Sequence, residues 1–223
     1  MTATLVLASG NRGKVREVQQ ILGLRASLLV LPVDHYGLTF DPVESGTSFL
    51  ENARIKALEA WRLLGKPVIS DDSGLCVKAL GGAPGVHSAR YAGEGASDQE
   101  RYEKLLAALE AQDERRAHFS CVVCAILPPS WLTLKGEVVP PSPAAPLAKA
   151  EPAVLVTFEG RLGGTIARAP RGTNGFGFDP IFEPEGFGGR TLAELFDHEK
   201  NACSHRAKAL IRFAAALDFA AVE

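Results

Sequence analysis

The 223-residue chain lacks long apolar runs and basic clusters. Lys and Arg total 24 against 26 Asp and Glu, a net charge of −2 at pH 7, which argues against non-specific binding of nucleic acid. The longest apolar stretches are too short to cross a membrane, and the one at residues 5–8 is broken by Gly10 and Asn11. We therefore expect no membrane association, no signal peptide and a cytoplasmic protein.

Cysteine is also scarce, with four residues in the chain. Cys121 and Cys124 form a CxxC sequence inside a predicted strand, where residues three apart point to opposite faces. They cannot share a metal ion. We predict core cysteines in a reducing compartment, with no disulfide framework.

What the chain does have is glycine, 22 residues of it, several of which lie where apolar segments end. Residues 4–8 read as a buried strand and residues 14–22 as a helix with one apolar face. The turn between them contains Ser9, Asn11 and Lys14. Backbone N–H groups at a helix start, with a lysine beside them, favour a phosphate. An ordinary turn with a solvated lysine is the alternative, since no Walker sequence is present.

The stretch at residues 68–90 has the most unusual pattern. A short buried strand at Val68 and Ile69 runs into Asp71 and Asp72, and we predict that the chain then turns at residues 73–74. Carboxylates at the end of a buried strand lie where α/β sheets bind ligands. The same letters also suit a simple polar turn, so this pattern alone leaves both interpretations open.

Three Ser/Thr residues followed by Glu three positions later predict helix starts with capping boxes; they are Ser48, Ser97 and Thr191. A strand is predicted at 118–127, and two more at 153–159 and 162–167, consistent with a hairpin around Gly160. Glu44 lies just before the helix that follows Ser48, and Lys56 lies on it; both are off its apolar stripe, which by itself indicates surface charge.

Glycine alternates with aromatic residues at positions 171–180. Such a run lets the backbone approach a flat ligand while a ring stacks on it; the alternative is a structural loop with its rings in the core. Phe176 and Phe178 would share one face if this segment were extended. Further along, Lys200, His205 and Arg206 crowd the start of the last helix, where cations oppose the helix dipole unless an anion is present.

Residues 128–152 are rich in proline and show no periodicity, so we predict a long inserted loop. We expect it to be exposed and mobile, with one end held by Trp131, Leu132 and Leu134. Trypsin should cut it first at Lys135 or Lys149. Replacing residues 135–150 by a Gly-Ser link should leave activity within a few-fold.

Five motifs together resemble the inosine triphosphate pyrophosphatase family, whose members hydrolyse deoxyinosine, inosine and xanthosine triphosphates. They occur in the family's order and cover nearly the whole chain; they are SGNRGK, ESGTSFLENARIKA, SDDSGLCVKALGGAPGVHSARYAG, GFGFDPIF and EKNACSHRAKAL. The resemblance implies hydrolysis to the nucleoside monophosphate and pyrophosphate, with Mg²⁺ as cofactor.

The resemblance also implies roles for individual residues. Asp72 is expected to be the general base and a metal ligand, together with Glu44, and Asp71 is a further candidate ligand. Substrate contacts are expected at Ser9, Gly10, Asn11, Arg12, Gly13, Lys14, Lys56, Ser73, Phe176, Gly177, Phe178, Asp179, Lys200, His205 and Arg206.

The implied fold is α/β: an elongated mixed-sheet body with helices on its faces and two lobes around a central cleft, forming one domain over residues 1–223. A homodimer is expected. Two departures stand out, the long 128–152 segment and Phe178, where many members have tyrosine. A Maf-type nucleotide pyrophosphatase is the nearest rival, but EKNACSHR argues against it. A regulator that binds nucleotides without catalysis would not need Glu44, Asp71 and Asp72.

Overall fold

A computed structural model describes residues 3–23, 28–144 and 152–218. Within these ranges the strands are β1 (Ala3–Leu7), β2 (Leu28–Pro32), β3 (Val68–Val77), β4 (Arg116–Leu127), β5 (Glu137–Val139), β6 (Ala153–Ile166) and β7 (Phe182–Pro184). The α-helices are α1 (Arg12–Gly23), α2 (Phe49–Leu64), α3 (Asp98–Ala108), α4 (Asp197–Cys203) and α5 (His205–Ala215). Short 3₁₀ helices cover Val33–Tyr36, Lys78–Leu80, Gly85–Arg90, Pro129–Trp131, Asp179–Ile181 and Leu192–Glu194.

The strands form one mixed sheet in the order β2-β1-β3-β4-β6-β5, with β7 paired to β6. β1 is parallel to β2 and β3, whereas β6 is antiparallel to β5 and β7. The predicted α/β class with a mixed sheet is confirmed. Among the described residues, no helix combines the length and apolarity that a membrane span requires.

The chain divides into two compact units. Unit 1 comprises Met1–Asp72, Val122–Glu159 and Ala207–Glu223, and unit 2 comprises Ser73–Cys121 and Gly160–Arg206. Each has its own apolar core. The core of unit 1 includes Val6, Ala57 and Ile126, and that of unit 2 includes Leu105 and Phe182. The predicted single domain with a cleft between lobes stays a prediction.

Three helix starts follow the sequence prediction closely. Ser48, Ser97 and Thr191 each form a capping box with the glutamate three residues later. α2 ends at Gly65, whose φ of 58° lies in the left-handed region that glycine adopts readily. These signals act within one helical turn, so tertiary contacts do not override them.

Two predicted turns are wrong. β3 continues without a break through Ser73 and Gly74 to Val77, so Asp71 and Asp72 lie in the middle of a strand instead of at its end. β6 likewise runs straight through Gly160, and the hairpin predicted there does not form. In both cases strand pairing overrides the local turn preference of glycine.

The predicted 128–152 loop is wrong at residues 137–139 of its described part. Residues 137–139 form β5, an edge strand, which is where a proline-rich segment can join a sheet. The first end of the segment is held as expected: Leu132 is buried, and the Thr133 N–H donates to the Ala216 carbonyl at 2.9 Å. Leu134, however, is 40% exposed. Lys149 lies outside the described residues.

Candidate active site

In unit 1, the loop after β1 folds around its own side chains. The Asn11 N–H donates to Ser9 Oγ at 3.2 Å, and Asn11 Oδ1 accepts from the Lys14 N–H at 3.1 Å. Asn11 thereby caps the N-terminus of α1, the position that asparagine favours. Gly10, Asn11 and Arg12 are exposed. The arrangement agrees with the predicted anion cradle, because backbone N–H groups at a helix N-terminus attract negative charge.

The register of β1 against β3 explains how this loop reaches the acidic pair. Leu7 lies opposite Ile69 in the parallel pairing, so β1 ends two residues short of Asp71. Lys14 Nζ then lies 3.1 Å from Asp71 Oδ2, and the Asp71 side chain is 2% exposed. β1 therefore ends beside the carboxylates, at the edge where parallel strands deliver ligand-binding groups.

Lys56 is held between two carboxylates. Its Nζ lies 2.8 Å from Asp72 Oδ1 and 2.9 Å from Glu44 Oε1. The lysine is 6% exposed in spite of its charge; a buried charge is tolerated when it is paired in this way. The surface charge that the sequence suggested for Lys56 is therefore wrong, since the side chain faces inward to β3.

Asn52, one turn before Lys56 on α2, was not predicted as a site residue. Its Nδ2 approaches Asp72 Oδ2 at 3.4 Å, while its Oδ1 accepts from the Gly46 N–H at 2.8 Å. A Cβ on Gly46 would lie 2.6 Å from that Oδ1, so this position requires glycine. The i, i+4 spacing of Asn52 and Lys56 was a usable sequence signal.

The pKa values of the central pair follow from burial and neighbouring charge. Burial raises the pKa of Asp72 above its usual value, and Glu44 adds to the rise; Lys56 and Lys14 oppose it without cancelling it. Burial lowers the pKa of Lys56, but Asp72, Asp71 and Glu44 more than offset this, so its pKa is raised. A buried carboxylate with a raised pKa is a usual feature of a general base.

The donor set suits a hard divalent cation. Glu44 and Asp72 converge on one cationic atom, Lys56 Nζ, so two carboxylates already face a single position. Mg²⁺ typically takes one or two protein carboxylates and completes its shell with water and substrate phosphates. Within the described ranges, no group of three or more His, Cys, Asp or Glu side chains is placed to hold a metal ion. Glu44 and Asp72 are therefore two carboxylates that could contribute to a site completed by water and phosphate oxygens.

In unit 2, the glycine-aromatic segment is turned instead of extended. Asp179, which is buried, accepts from the Phe176 N–H at 2.8 Å and from Lys200 Nζ at 2.5 Å. Gly175 has a φ of 75°, and a Cβ there would meet Asp179 Oδ2 at 2.0 Å. Gly175 was missed by the sequence analysis, although it is needed for this turn. Because the segment is not extended, the condition under which Phe176 and Phe178 would share a face is not met.

The two rings have different surroundings. Phe176 is half-buried, with Lys200 Nζ 4.7 Å and Arg206 Cζ 5.8 Å from its centroid, both within cation–π range. Phe178 is 3% exposed and belongs to the core of unit 2. Its predicted contact with substrate stays a prediction, and the structure gives its ring a packing role.

The other cationic residues before and at the start of α5 are buried as well. Arg206 is 2% exposed and donates from Nη2 to Ser73 Oγ at 2.8 Å. The His205 ring stacks on Phe119, with centroids 4.6 Å apart and an interplanar angle of 9°. An anion was expected near these cations; for Lys200 that anion is the chain's own Asp179.

Both units thus contain the groups that a nucleotide-binding α/β protein uses: lysines and carboxylates on the sheet in one, and an aromatic ring with cations in the other. The profile of the Ham1 family matches residues 5–216, and the chain belongs to this family. The family resemblance stated from the motifs is confirmed.

Relatives and solved structures agree. A dITP/XTP pyrophosphatase of Syntrophobacter fumaroxidans is 44% identical over 209 residues, covering 94% of this chain and 79% of that protein. One of Yersinia pseudotuberculosis is 44% identical over 208 residues, covering 92% and 93%. A HAM1 protein structure from Coxiella burnetii superposes with a TM-score of 0.75 at 40% identity, covering 96% and 97%. The Staphylococcus aureus Ham1 protein gives 0.74 at 36% identity, covering 95% and 96%.

Proposed function

We propose that this protein is an enzyme that hydrolyses the non-standard purine nucleoside triphosphates dITP, ITP and XTP to the nucleoside monophosphate and pyrophosphate. The observation that carries the proposal is the group formed by buried Lys56 and Asp72 with the partly exposed Glu44: Lys56 Nζ lies 2.9 Å from Glu44 Oε1 and 2.8 Å from Asp72 Oδ1. It offers a base, a cation and metal-binding oxygens together. The names of the relatives, dITP/XTP pyrophosphatases, supply the substrate class.

Residues of unit 1 act on the triphosphate. The loop at residues 9–14 donates backbone N–H groups at the start of α1, and Lys14 adds a full charge. Lys56 stabilises negative charge on the leaving pyrophosphate, an effect that is strong where water is excluded. Both lysines are paired with carboxylates, Lys14 with Asp71 and Lys56 with Asp72, so phosphate binding exchanges one anionic partner for another.

Asp72 acts as the general base and orients the attacking water. Its raised pKa makes it a better proton acceptor than an exposed aspartate. Glu44 and Asp72 would hold Mg²⁺, with Asp71 as a further candidate ligand. Such an ion would supply Lewis-acid polarisation of phosphate oxygens and offset their charge. Asn52 holds Asp72 in place from α2.

Residues of unit 2 recognise the purine. Phe176 offers a ring for stacking, next to Gly177, Phe178 and Asp179, while Lys200, His205, Arg206 and Ser73 supply polar contacts. Hypoxanthine and xanthine carry a carbonyl at position 6, whose oxygen accepts a hydrogen bond from a donor such as Arg206. Adenine carries an amino group there, so a donor would face a donor, and this mismatch disfavours ATP.

Further parts of the proposal rest on the family resemblance and on composition. We infer a homodimer, a cytoplasmic location, and no nucleic-acid or membrane partner. None of the four cysteines, all of which lie in the described ranges, forms a disulfide, which suits a reducing compartment. Light scattering tests the dimer by its mass; a monomer at micromolar concentration would contradict it.

Pyrophosphate release over a panel of nucleoside triphosphates with Mg²⁺ tests the function. We expect dITP, ITP and XTP to be hydrolysed, with kcat/KM for ITP at least about 10²-fold above that for ATP. Release of inorganic phosphate instead of pyrophosphate would contradict cleavage between the α- and β-phosphates. Similar values for ITP and ATP would contradict the donor-lined pocket, and binding without turnover would favour the regulator.

A further inference from the structure

Two neighbouring amides of the glycine-aromatic segment are each held by a carboxylate. The Phe176 N–H donates to Asp179, as described above, and the Gly177 N–H donates to Asp98 Oδ2 at 2.7 Å. Asp98 stands outside the motifs that carry the family resemblance. We propose that Asp98 is a positioning residue for base recognition: by fixing Gly177 it sets the direction of the Phe176 ring. The proposal rests on the function proposed above.

The backbone around Phe176 needs such a restraint. Gly175 and Gly177, on either side of it, have φ values of 75° and 66°. Glycine has wide conformational freedom, and ordering it costs more backbone entropy than ordering any other residue. Hydrogen bonds from these amides to carboxylates are charge-assisted and therefore stronger than neutral ones. They can hold the turn in a single conformation before a ligand arrives.

Asp98 is itself held firmly. It is the first residue of α3, directly after the Ser97 cap, where a negative charge interacts favourably with the helix dipole. Arg101, on the same helical turn, lies 2.5 Å from Asp98 Oδ1 through Nη1, and its Nη2 donates to the Ala96 carbonyl. One carboxylate oxygen is thus fixed by the helix, and the other is directed at Gly177.

The ring that this bond would orient is the one next to the buried cations. Phe176 lies within cation–π distance of Lys200 and Arg206. A small rotation of Gly177 would move the ring relative to both. Asp179 cannot isolate this effect by mutation, because it also binds Lys200. Asp98 is the better residue to mutate in a test of this hydrogen bond, since the contacts described for its side chain are with Gly177 and Arg101.

The experiment compares Asp98→Ala with Asp98→Asn. Both variants lose the charge that pairs with Arg101 and favours the helix start, but asparagine keeps an oxygen that accepts from Gly177. For ITP we expect Asp98→Ala to raise KM about tenfold with kcat within about threefold, since a positioning defect at the base removes binding energy. Asp98→Asn should stay within about threefold of wild type in both constants.

Two controls make the readout specific. Inorganic tripolyphosphate has no base, so its inhibition constant should be the same in the wild type and Asp98→Ala. Gln99→Ala removes a neighbouring exposed side chain that bonds to Glu103 on the same helix, and it should change neither KM nor kcat. Equal KM increases in both Asp98 variants, or no increase in Asp98→Ala, would overturn the proposal.

Hydrogen exchange at the Gly177 amide of the nucleotide-free wild type gives an answer that needs neither activity nor a folded variant. We expect this amide to exchange at least about tenfold more slowly than an unstructured amide. Exchange at the unprotected rate would refute the Asp98 bond. If the wild type hydrolyses no purine triphosphate while the amide is protected, the proposed function fails and the structural restraint remains.

Discussion

At the scale of single residues, Asp72 and Lys56 present a balance of opposing effects. Both are about nine-tenths buried or more, so each charge has lost much of its hydration. Their contact offsets that loss only while both remain, and removing one partner of a buried pair is commonly destabilising by about 3–5 kcal/mol. Mutational tests of this site therefore need conservative substitutions, which keep the size and the hydrogen-bonding capacity of the side chain.

Asp72→Asn keeps the shape of the residue and removes its ability to accept a proton. We expect kcat for ITP to fall at least about 10²-fold, because a positioned general base contributes about 10² to 10⁴ in rate. Nucleotide binding, measured by calorimetry, should be largely retained. Asp34→Asn, at an exposed carboxylate on a 3₁₀ helix, is the matched control and should leave kcat unchanged. Near-wild-type turnover in Asp72→Asn would remove Asp72 from the catalytic role.

At the scale of elements, the sequence correctly predicted those helix starts and ends that depend on residues within one helical turn. The three capping boxes and the Gly65 helix end are of this kind. Gly74 and Gly160 were misinterpreted as turn residues, because the strands that run through them are not visible in a local pattern. A Cβ on Gly164 in β6 would meet the Glu183 carbonyl oxygen at 2.3 Å and the Phe182 ring at 2.7 Å. This glycine permits close packing against β7, which no local pattern reveals.

The candidate site shows the same division. The carboxylates, the lysines and Phe176 could be predicted as site residues, because each lies inside a motif that is recognisable in the sequence. The supporting residues Asn52 and Asp98 were not named. Each acts on a site residue that is distant along the chain, 20 residues away for Asn52 and 79 for Asp98. Their roles become visible only when the fold brings the partners together.

β5 provides a test of structure in the segment that was predicted to be a loop. Val139 is 3% exposed and belongs to the core of unit 1, whereas its neighbour Val138 is 71% exposed. Val139→Ala should lower the free energy of unfolding by about 1–3 kcal/mol through lost burial and a residual cavity. Val138→Ala should stay within about 0.5 kcal/mol. Urea denaturation measures both free energies of unfolding. Equal small effects would contradict the packing of β5 and favour the predicted mobile loop.

The same contacts revise the expected tolerance of this segment. Arg54 pairs with Glu137, Trp61 Nε1 donates to the Pro140 carbonyl, and Ser142 Oγ donates to the Arg62 carbonyl. Residues 137–142 therefore bind α2, the helix that carries Asn52 and Lys56. Replacing residues 135–150 as a block would remove these contacts, so a short Gly-Ser link is no longer expected to be neutral.

At the scale of the whole molecule, nucleotide binding should be visible as stability. A ligand that binds the native state at 100 times its Kd stabilises it by about 2.7 kcal/mol. For a protein of this size that corresponds to a rise in Tm of roughly 5–11 °C. Asp72→Asn is the suitable form, because it should bind ITP without consuming it during the scan.

A comparison of ligands then separates the contribution of the base to binding from that of the phosphates. If discrimination arises in binding, ATP at the same concentration would be near its own Kd and would add only about 0.4 kcal/mol, or about 1–2 °C. Inorganic tripolyphosphate, which lacks a base, reports the share of the phosphate-binding residues such as Lys14 and Lys56. We expect the order ITP, then tripolyphosphate or ATP, in differential scanning calorimetry with Mg²⁺. Equal shifts from ITP and ATP, in a protein whose kcat/KM still favours ITP, would place the discrimination in the transition state and contradict ground-state recognition of the base by the residues around Phe176.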